Sequence, residues 1–211
     1  MEHSTYQKLV VAAADLLRQK GYAATGISDI LKTAGVTRGS LYHHFPGGKR
    51  DLAIAAARYS AELLLKMIET ACRTAYAEGG DYHDAMIEFG KKIYASFEKN
   101  GNWRFMTVSA TLQEGGERNE IFSKEARKHY ASIRMKAIEE GGKFGLSAEA
   151  SYLPLRKAML MLEGSWLLAR VLGDAMPMRS AVKFIEEEKL FHELRQQAQL
   201  QIAHDDTLLE R

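Results

Sequence analysis

The sequence predicts an all-α chain of about nine helices, with a small three-helix unit at the N-terminus and a larger helical body behind it. Apolar residues recur at three- and four-residue spacing through nearly the whole chain. Glycine pairs and prolines punctuate that pattern, and no stretch reads as a strand. With 211 residues, 46% of them hydrophobic, the chain has enough apolar material for a sizeable core in one or two domains.

Ser4 and Gln7 stand at capping-box spacing, where each side chain satisfies an orphan backbone N–H at a helix start. Tyr6, Leu9, Val10, Ala13, Leu16 and Leu17 then form one apolar stripe, which Gly21 closes. Two short helices follow over Ser28–Ala34 and Thr37–His44, with Ser28 and Thr37 as N-caps and Gly35 in the turn between. Phe45-Pro46-Gly47-Gly48 interrupts helix, because proline disfavours helical backbone at the residue before it. A long helix runs from Lys49 to Ala77 with Leu52, Ala55, Ala56, Tyr59, Leu63 and Met67 along one side. At 1.5 Å per residue it spans about 43 Å, enough to link two domains. Beyond Gly79-Gly80, helices are expected over Asp81–Lys99, Asn102–Leu112, Glu117–Glu140, Ser151–Leu172 and Pro177–Ile202. Gly141-Gly142 and Met176-Pro177 are among the breakers between them, and Asp205–Arg211 is expected to fray.

A single cysteine excludes an intramolecular disulfide framework and a Cys-rich zinc site. No apolar run approaches the roughly 18 residues that span a bilayer. The start MEHSTYQKL lacks the pattern of a secretion signal, so a soluble cytoplasmic protein without membrane partners is expected. The formal net charge is only +2, but it divides unevenly. Residues 1–50 hold seven basic and three acidic residues, net +4, while the other 161 hold 22 and 24, net −2. Such asymmetry points to a nucleic-acid-facing end.

The stretch Thr25–Phe45, TGISDILKTAGVTRGSLYHHF, reads as helix, tight glycine turn, helix. Ile30, Leu31, Ala34, Val36, Leu41 and Phe45 are placed inward against the first helix, and Arg38, Gly39, Ser40, Tyr42, His43 and His44 remain outward. A buried helix would carry more apolar bulk on that second face, and a merely solvated one more Glu and Lys. The pattern suits a helix-turn-helix unit whose second helix enters the DNA major groove. Arg38 is suited to a guanine edge, Ser40 and His43 to bases or phosphates, Tyr42 and His44 to phosphate oxygens, and Lys49 to backbone charge. The segment, with the following PGGKRDLA, resembles the DNA-binding domain of TetR-family transcriptional regulators over about residues 5–60. That resemblance implies a symmetric dimer that binds a palindromic double-stranded DNA operator and leaves it when a small molecule binds the C-terminal domain. It makes Ser28, Thr37, Arg38, Gly39, Ser40, Tyr42, His43, His44 and Lys49 the DNA-contacting residues. HHFPGGKRDLA, EGSWLLAR (163–170) and Gly173-Asp174 are also similar to a subgroup that includes lincomycin-resistance and flavonoid-responsive repressors.

In the body, 11 of the 15 residues of Ala158–Leu172 are apolar. A helix apolar on nearly every side must be covered on nearly every side, most simply by its own core and by a second subunit. Phe184, Phe191, Leu194 and Ala198 extend the seam, so a homodimer through the last two helices is expected, with a central helix of a monomer as the competing arrangement. For an effector, the central helices offer Phe89, Ile93, Phe97, Trp103, Phe105, Met106, Leu112, Tyr130, Met135, Met159, Leu162 and Trp166. As a set they suit a hydrophobic or aromatic molecule; singly, each reads as core. Glu163, inside an apolar helix, must be paired, protonated or exposed to a cavity; it joins the set as a ligand hydrogen-bonding group, with pairing to an Arg or His at the interface as the competing reading.

No metal or cofactor is expected: His43 and His44 are adjacent and diverge on a helix, while His83, His129, His192 and His204 stand apart with no HExxH spacing. Cys72 has no adjacent activating group and reads as a small buried thiol. PGGKR (46–50) lacks the spacing of a phosphate-binding loop, and GGKFG (141–145) reads as a helix C-cap. The reading is therefore not an enzyme but a ligand-responsive repressor, with residues 1–46 as DNA-binding domain and 47–211 as effector and dimer domain. An architectural or cell-division DNA-binding protein with a filled centre and no effector is the first alternative, and a helical enzyme using the central cavity is the second.

Overall fold

Residues 4–100 and 120–189 are described by the computed structural model, and among them the chain forms eight helices and no strand. The expected helix over Asn102–Leu112 and the seam residues Phe191, Leu194 and Ala198 lie outside the described residues.

Helix α1 is Thr5–Ala24. Ser4 and Gln7 form the expected capping box: the Gln7 N–H donates to Ser4 Oγ at 3.2 Å and the Ser4 N–H to Gln7 Oε1 at 3.1 Å. Gly21, at φ 76°, kinks the helix and lets it run one further turn to Ala24. The corner that follows is locked by Thr25, fully buried, whose hydroxyl lies 2.7 Å from Gly21 O and 3.2 Å from Leu16 O. Helix α2 is Ile27–Ala34, and its cap is Gly26, so Ser28 sits within the first turn and is not the N-cap. Gly26 already takes the extended conformation a cap needs, and Asp29 places a carboxylate in the positive first turn. Gly35 ends α2 in the left-handed conformation (φ 64°, ψ 39°). Thr37 caps α3, Arg38–His44, by accepting the Ser40 N–H at 3.3 Å.

Helix α4 is Lys49–Ala77 and is shared by two cores. Its first turns bury Leu52, Ala53, Ala56 and Ala57 with Leu9, Val10, Leu17, Ile30, Leu41 and Phe45. From Leu64 onward, Ile68, Ala71, Cys72 and Ala75 pack into the body. The turn at residues 46–48 precedes the helix, while the packing changes hands within it. The buried face also differs from the expected stripe: Ala55, Tyr59, Leu63 and Met67 are only half-buried, and the fully buried line runs through alanines and Ser60. Small residues win there because they let neighbouring helices approach closely.

The body adds α5 (Tyr82–Asn100), α6 (Glu120–Lys143), α7 (Ala148–Leu172) and α8 (176–189). Phe89 and Ile93 of α5, Ile133 of α6, Leu155, Leu162 and Trp166 of α7, and Met178 and Ile185 of α8 fill its core. Gly141-Gly142 does not break α6, which runs through both to Lys143; the turn is made at Gly145, at φ 78°. Likewise α7 begins three residues before Ser151, capped by Ser147, whose Oγ accepts the Ala150 N–H at 3.3 Å. The reason is the α6/α7 crossing. A Cβ at Gly141 would lie 2.3 Å from Ser151 Oγ and 3.0 Å from Ser151 Cα, so glycine here permits helix contact rather than ending a helix. Gly141→Ala is expected to destabilise the fold by about 1–3 kcal/mol through overpacking. Gly142→Ala, which meets nothing within 4 Å, is expected to be neutral or slightly stabilising, and comparing the two Tm values by circular dichroism checks the contrast.

Candidate functional site

The N-terminal site is built on α3, whose inner face is pinned by Leu41 at 0% exposure and, just beyond its last turn, by Phe45 at 4%. Tyr6 of α1 stacks on the Phe45 ring at 5.2 Å between centroids. With that face fixed, Thr37, Arg38, Gly39, Tyr42, His43 and His44 are exposed together, and Ser40 is half-buried with its hydroxyl 3.0 Å from Thr37 Oγ1. A Cβ at Gly39 would meet only Thr37 Oγ1, at 3.9 Å, so the surface is open for a backbone to approach. Ser28 is exposed on the first turn of α2. The His43 and His44 rings meet edge-on at 5.0 Å, and His44 also lies edge-on to Tyr6 at 6.0 Å. Tyr42 leans over the turn, its ring 3.4 Å from where a Cβ on Gly48 would stand.

Lys49 departs from a simple surface charge. Its ammonium sits 4.3 Å from the centroid of the Tyr22 ring, and burial lowers its pKa from the ordinary lysine value. The cation–π contact holds Lys49 at the first turn of α4. Tyr22 in turn receives Phe122 of α6, edge-on at 4.9 Å, and Phe122, only 3% exposed, belongs to the N-terminal core. A residue of the body is thus embedded in the N-terminal unit.

Two further contacts join the same parts. Arg58 of α4 donates through Nε to Glu125 Oε1 at 2.5 Å and through Nη2 to Glu125 Oε2 at 3.1 Å, a bidentate bridge. Arg170 of α7 donates to Gln19 O at 3.0 Å. The Arg58 hydrogen bond holds the Glu125 carboxyl below the usual glutamate range, against the opposing effect of burial. The stability this supplies is therefore present at neutral pH and lost as pH falls through that lowered value. His129, 3.3 Å from Glu125, is pushed below the usual histidine value by burial, which Glu125 partly offsets.

The second site is a cavity of about 540 Å3 between α6 and α7, lined by Tyr130, Ile133, Tyr152, Leu155, Arg156, Met159, Leu160 and Glu163. Of the expected effector set it brings together Tyr130, Met159 and Glu163. Phe89, Ile93, Leu162 and Trp166 are instead tightly buried core, Phe97 is half-buried against that core, and Met135 is turned to solvent at 63% exposure. Trp103, Phe105, Met106 and Leu112 lie outside the described residues. A larger recess of about 940 Å3 opens beside Tyr76, Tyr82, Phe144 and Leu153. Its lysines are matched by acids: Lys157 pairs with Glu188, Lys189 with Asp84 at 2.6 Å, and Lys143 with Glu140 at 2.8 Å. Burial pushes the Cys72 thiol up to about 12, which leaves it unreactive at neutral pH. Among the described residues no group of three or more His, Cys, Asp or Glu side chains is placed to hold a metal, and no helix is long and apolar enough to cross a membrane.

A pinned, outward-facing second helix on a helical body defines a helix-turn-helix DNA-binding transcriptional regulator. Residues 9–56 match the family model for bacterial regulatory proteins of the tetR family. A helix-turn-helix transcriptional regulator of Mycobacterium tuberculosis is 32% identical over 176 residues, 82% of this chain and 87% of its own. The transcriptional regulator LmrA of Bacillus subtilis is 28% identical over 82% of this chain and 89% of its own. In fold, the chain is similar to a TetR regulator from Legionella pneumophila, at TM-score 0.72, 18% identity and 89% and 98% coverage of the two chains. It is also similar to one from Rhodobacter sphaeroides, at TM-score 0.70, 22% identity and 86% and 96% coverage. The chain belongs to the TetR family of bacterial regulators, and it is not an enzyme.

Arg38→Ala is expected to weaken binding to cognate DNA by about 1–3 kcal/mol with little effect on random DNA. Lys49→Ala is expected to weaken both and to reduce the salt slope by about one. Fluorescence anisotropy against cognate and scrambled duplexes across a salt series separates the two; equal losses on both duplexes for Arg38→Ala contradict a base-reading role.

Proposed function

We propose that this regulator is a repressor that binds a palindromic operator as a homodimer and is released when a small hydrophobic or aromatic molecule occupies its helical body. Thr37, Arg38, Gly39, Ser40, Tyr42, His43 and His44 supply the groove-facing contacts, with Ser28 and Lys49 on the flanking phosphates. The observation that carries the reading is the insertion of Phe122 into the N-terminal core beside Tyr22, reinforced by the Arg58–Glu125 bridge. A shift of α6 caused by a ligand on its far half moves the residues that seat the reading unit. Such a ligand acts only if it binds the two arrangements with different affinity.

Exposed apolar surface on the last described helices supports the dimer. Leu160 at 69%, Leu167 at 50%, Val171 at 73% and Leu172 at 60% face outward on α7, with Phe184 at 55% on α8. A stripe of this kind on one protein marks an interaction surface, and a two-fold axis makes it self-complementary. Two subunits place two recognition helices about 34 Å apart, or a multiple of that, to read both half-sites. One observation favours the alternative of a DNA-binding protein without an effector: the middle of the body is filled by Phe89, Leu162 and Trp166. The recess between α6 and α7 favours the ligand-responsive reading.

Sedimentation at micromolar concentration is expected to give a dimer without DNA. Leu160→Glu with Val171→Glu is expected to raise the dimer dissociation constant on the order of 100-fold or more, because burying unpaired charge costs several kcal/mol. Operator affinity falls with it; a wild-type monomer that still binds the full palindrome contradicts the two-half-site mechanism.

A further inference from the structure

The recess between α6 and α7 carries positive charge at one end that no carboxylate among the described residues meets at ion-pair distance. The guanidinium carbons of Arg134 and Arg156 lie 5.5 and 5.7 Å from the centroid of one ring, Tyr152. Among the described residues neither arginine has a carboxylate within ion-pair distance, in contrast to Arg58, held by Glu125, and Arg179, held by Glu98. Both line a recess of about 440 Å3 that also holds Glu149, so its net charge is positive. Arg156 and Tyr152 line the neighbouring 540 Å3 cavity as well, so they form the border that the two recesses share. Beyond Arg156 the floor is apolar, formed by Ile133, Leu155, Met159 and Leu160. Glu163 stands at the other end, one side of α7 and seven residues on, which is about 10 Å along the helix.

From this geometry we infer that the cavity takes an anionic amphiphile: a carboxylate on an aliphatic or arylalkyl body about 10 Å long. A carboxylate accepting from Arg156 gains charge-assisted hydrogen bonds, and Arg134, which lines the adjoining recess, adds positive charge nearby. The body of the molecule buries against Ile133, Leu155 and Met159, where apolar contact supplies most of the affinity. Among the described lining residues of this cavity Arg156 is the one basic side chain, so the molecule lies with its carboxylate toward it. This inference rests on the ligand-responsive reading for its consequence at DNA but not for the binding event.

The test is calorimetric titration of the purified full-length protein with decanoate below its micelle concentration and with 1-decanol of the same length. Decanoate is expected to bind once per chain, about tenfold or more tighter than 1-decanol. Arg156→Gln is expected to remove that preference while leaving 1-decanol binding and the Tm unchanged, and Arg127→Gln, an exposed arginine elsewhere on α6, is expected to change nothing. Equal affinity for decanoate and 1-decanol, or unchanged decanoate binding by Arg156→Gln, overturns the inference. A parallel anisotropy assay on DNA from the upstream region of the protein's own gene keeps the two readings apart. Arginine-dependent binding without DNA release upholds the site and removes its role in induction. DNA release by decanoate that survives Arg156→Gln overturns the site while leaving a ligand-responsive repressor.

Discussion

Helix α4 and Phe122 of α6 tie the body to the N-terminal unit, and Arg170 of α7 adds a hydrogen bond to Gln19 O. Helix α4 is buried by two different cores along its length, so neither unit can rotate about it without repacking a row of alanines. Phe122 crosses from the body into the N-terminal core and meets Tyr22, and Tyr22 carries the Lys49 ammonium on its ring at the start of α4. Close-packed contacts of this kind do not deform gradually; they hold or they exchange for another arrangement. The Arg58–Glu125 bridge one turn further on fixes the angle at which α6 arrives. The reading helix is therefore oriented by the body as well as by its own short neighbours.

The electrostatics follow the same division. The excess of positive charge in residues 1–50 is modest, and part of it is already committed: Arg18 is buried with its Nε donating to Ala14 O at 2.9 Å, and Lys20 lies 3.4 Å from Asp29. Among the described residues Arg38, Lys32 and Lys8 are exposed with no carboxylate within ion-pair distance, and Lys49 is held over Tyr22. A small charge per chain suits the proposed dimer, in which the counterions released at two reading heads add together. The body, by contrast, pairs most of its described lysines with acids, while Arg134 and Arg156 lie beside the Tyr152 ring with no carboxylate within ion-pair distance among the described residues.

Local signals in the sequence predicted local structure well. Ser4 with Gln7, Thr37, Gly35 and the Pro46-Gly47-Gly48 break each act within one turn of the chain, and each appears where its chemistry puts it. The outward set on α3 was legible for the same reason: a seven-residue helix with one buried leucine leaves little choice of face. Signals that depend on distant partners were not legible. Gly141-Gly142 reads as a stop until Ser151 is seen against it, and the buried side of α4 is hidden because alanines carry too little hydrophobic contrast to mark a face. Tyr22 and Phe122 are a hundred residues apart, and nothing in either neighbourhood announces the other. The aromatic and methionine set in the body divided for a related reason, since an apolar residue at helical spacing looks the same whether it fills a core or lines a recess.

The account stands on the claim that Phe122 and its neighbours set the direction of the reading helix. Spin labels at position 43 of both subunits, introduced as His43→Cys with Cys72→Ser, allow the distance between the two reading helices to be measured by pulsed electron resonance. The account predicts one narrow distance distribution for the wild-type body, consistent with half-sites about 34 Å apart or a multiple of that. With Phe122→Ala added, it predicts a distribution broadened or displaced by several ångströms at unchanged dimerisation. An identical narrow distribution in both proteins would contradict it.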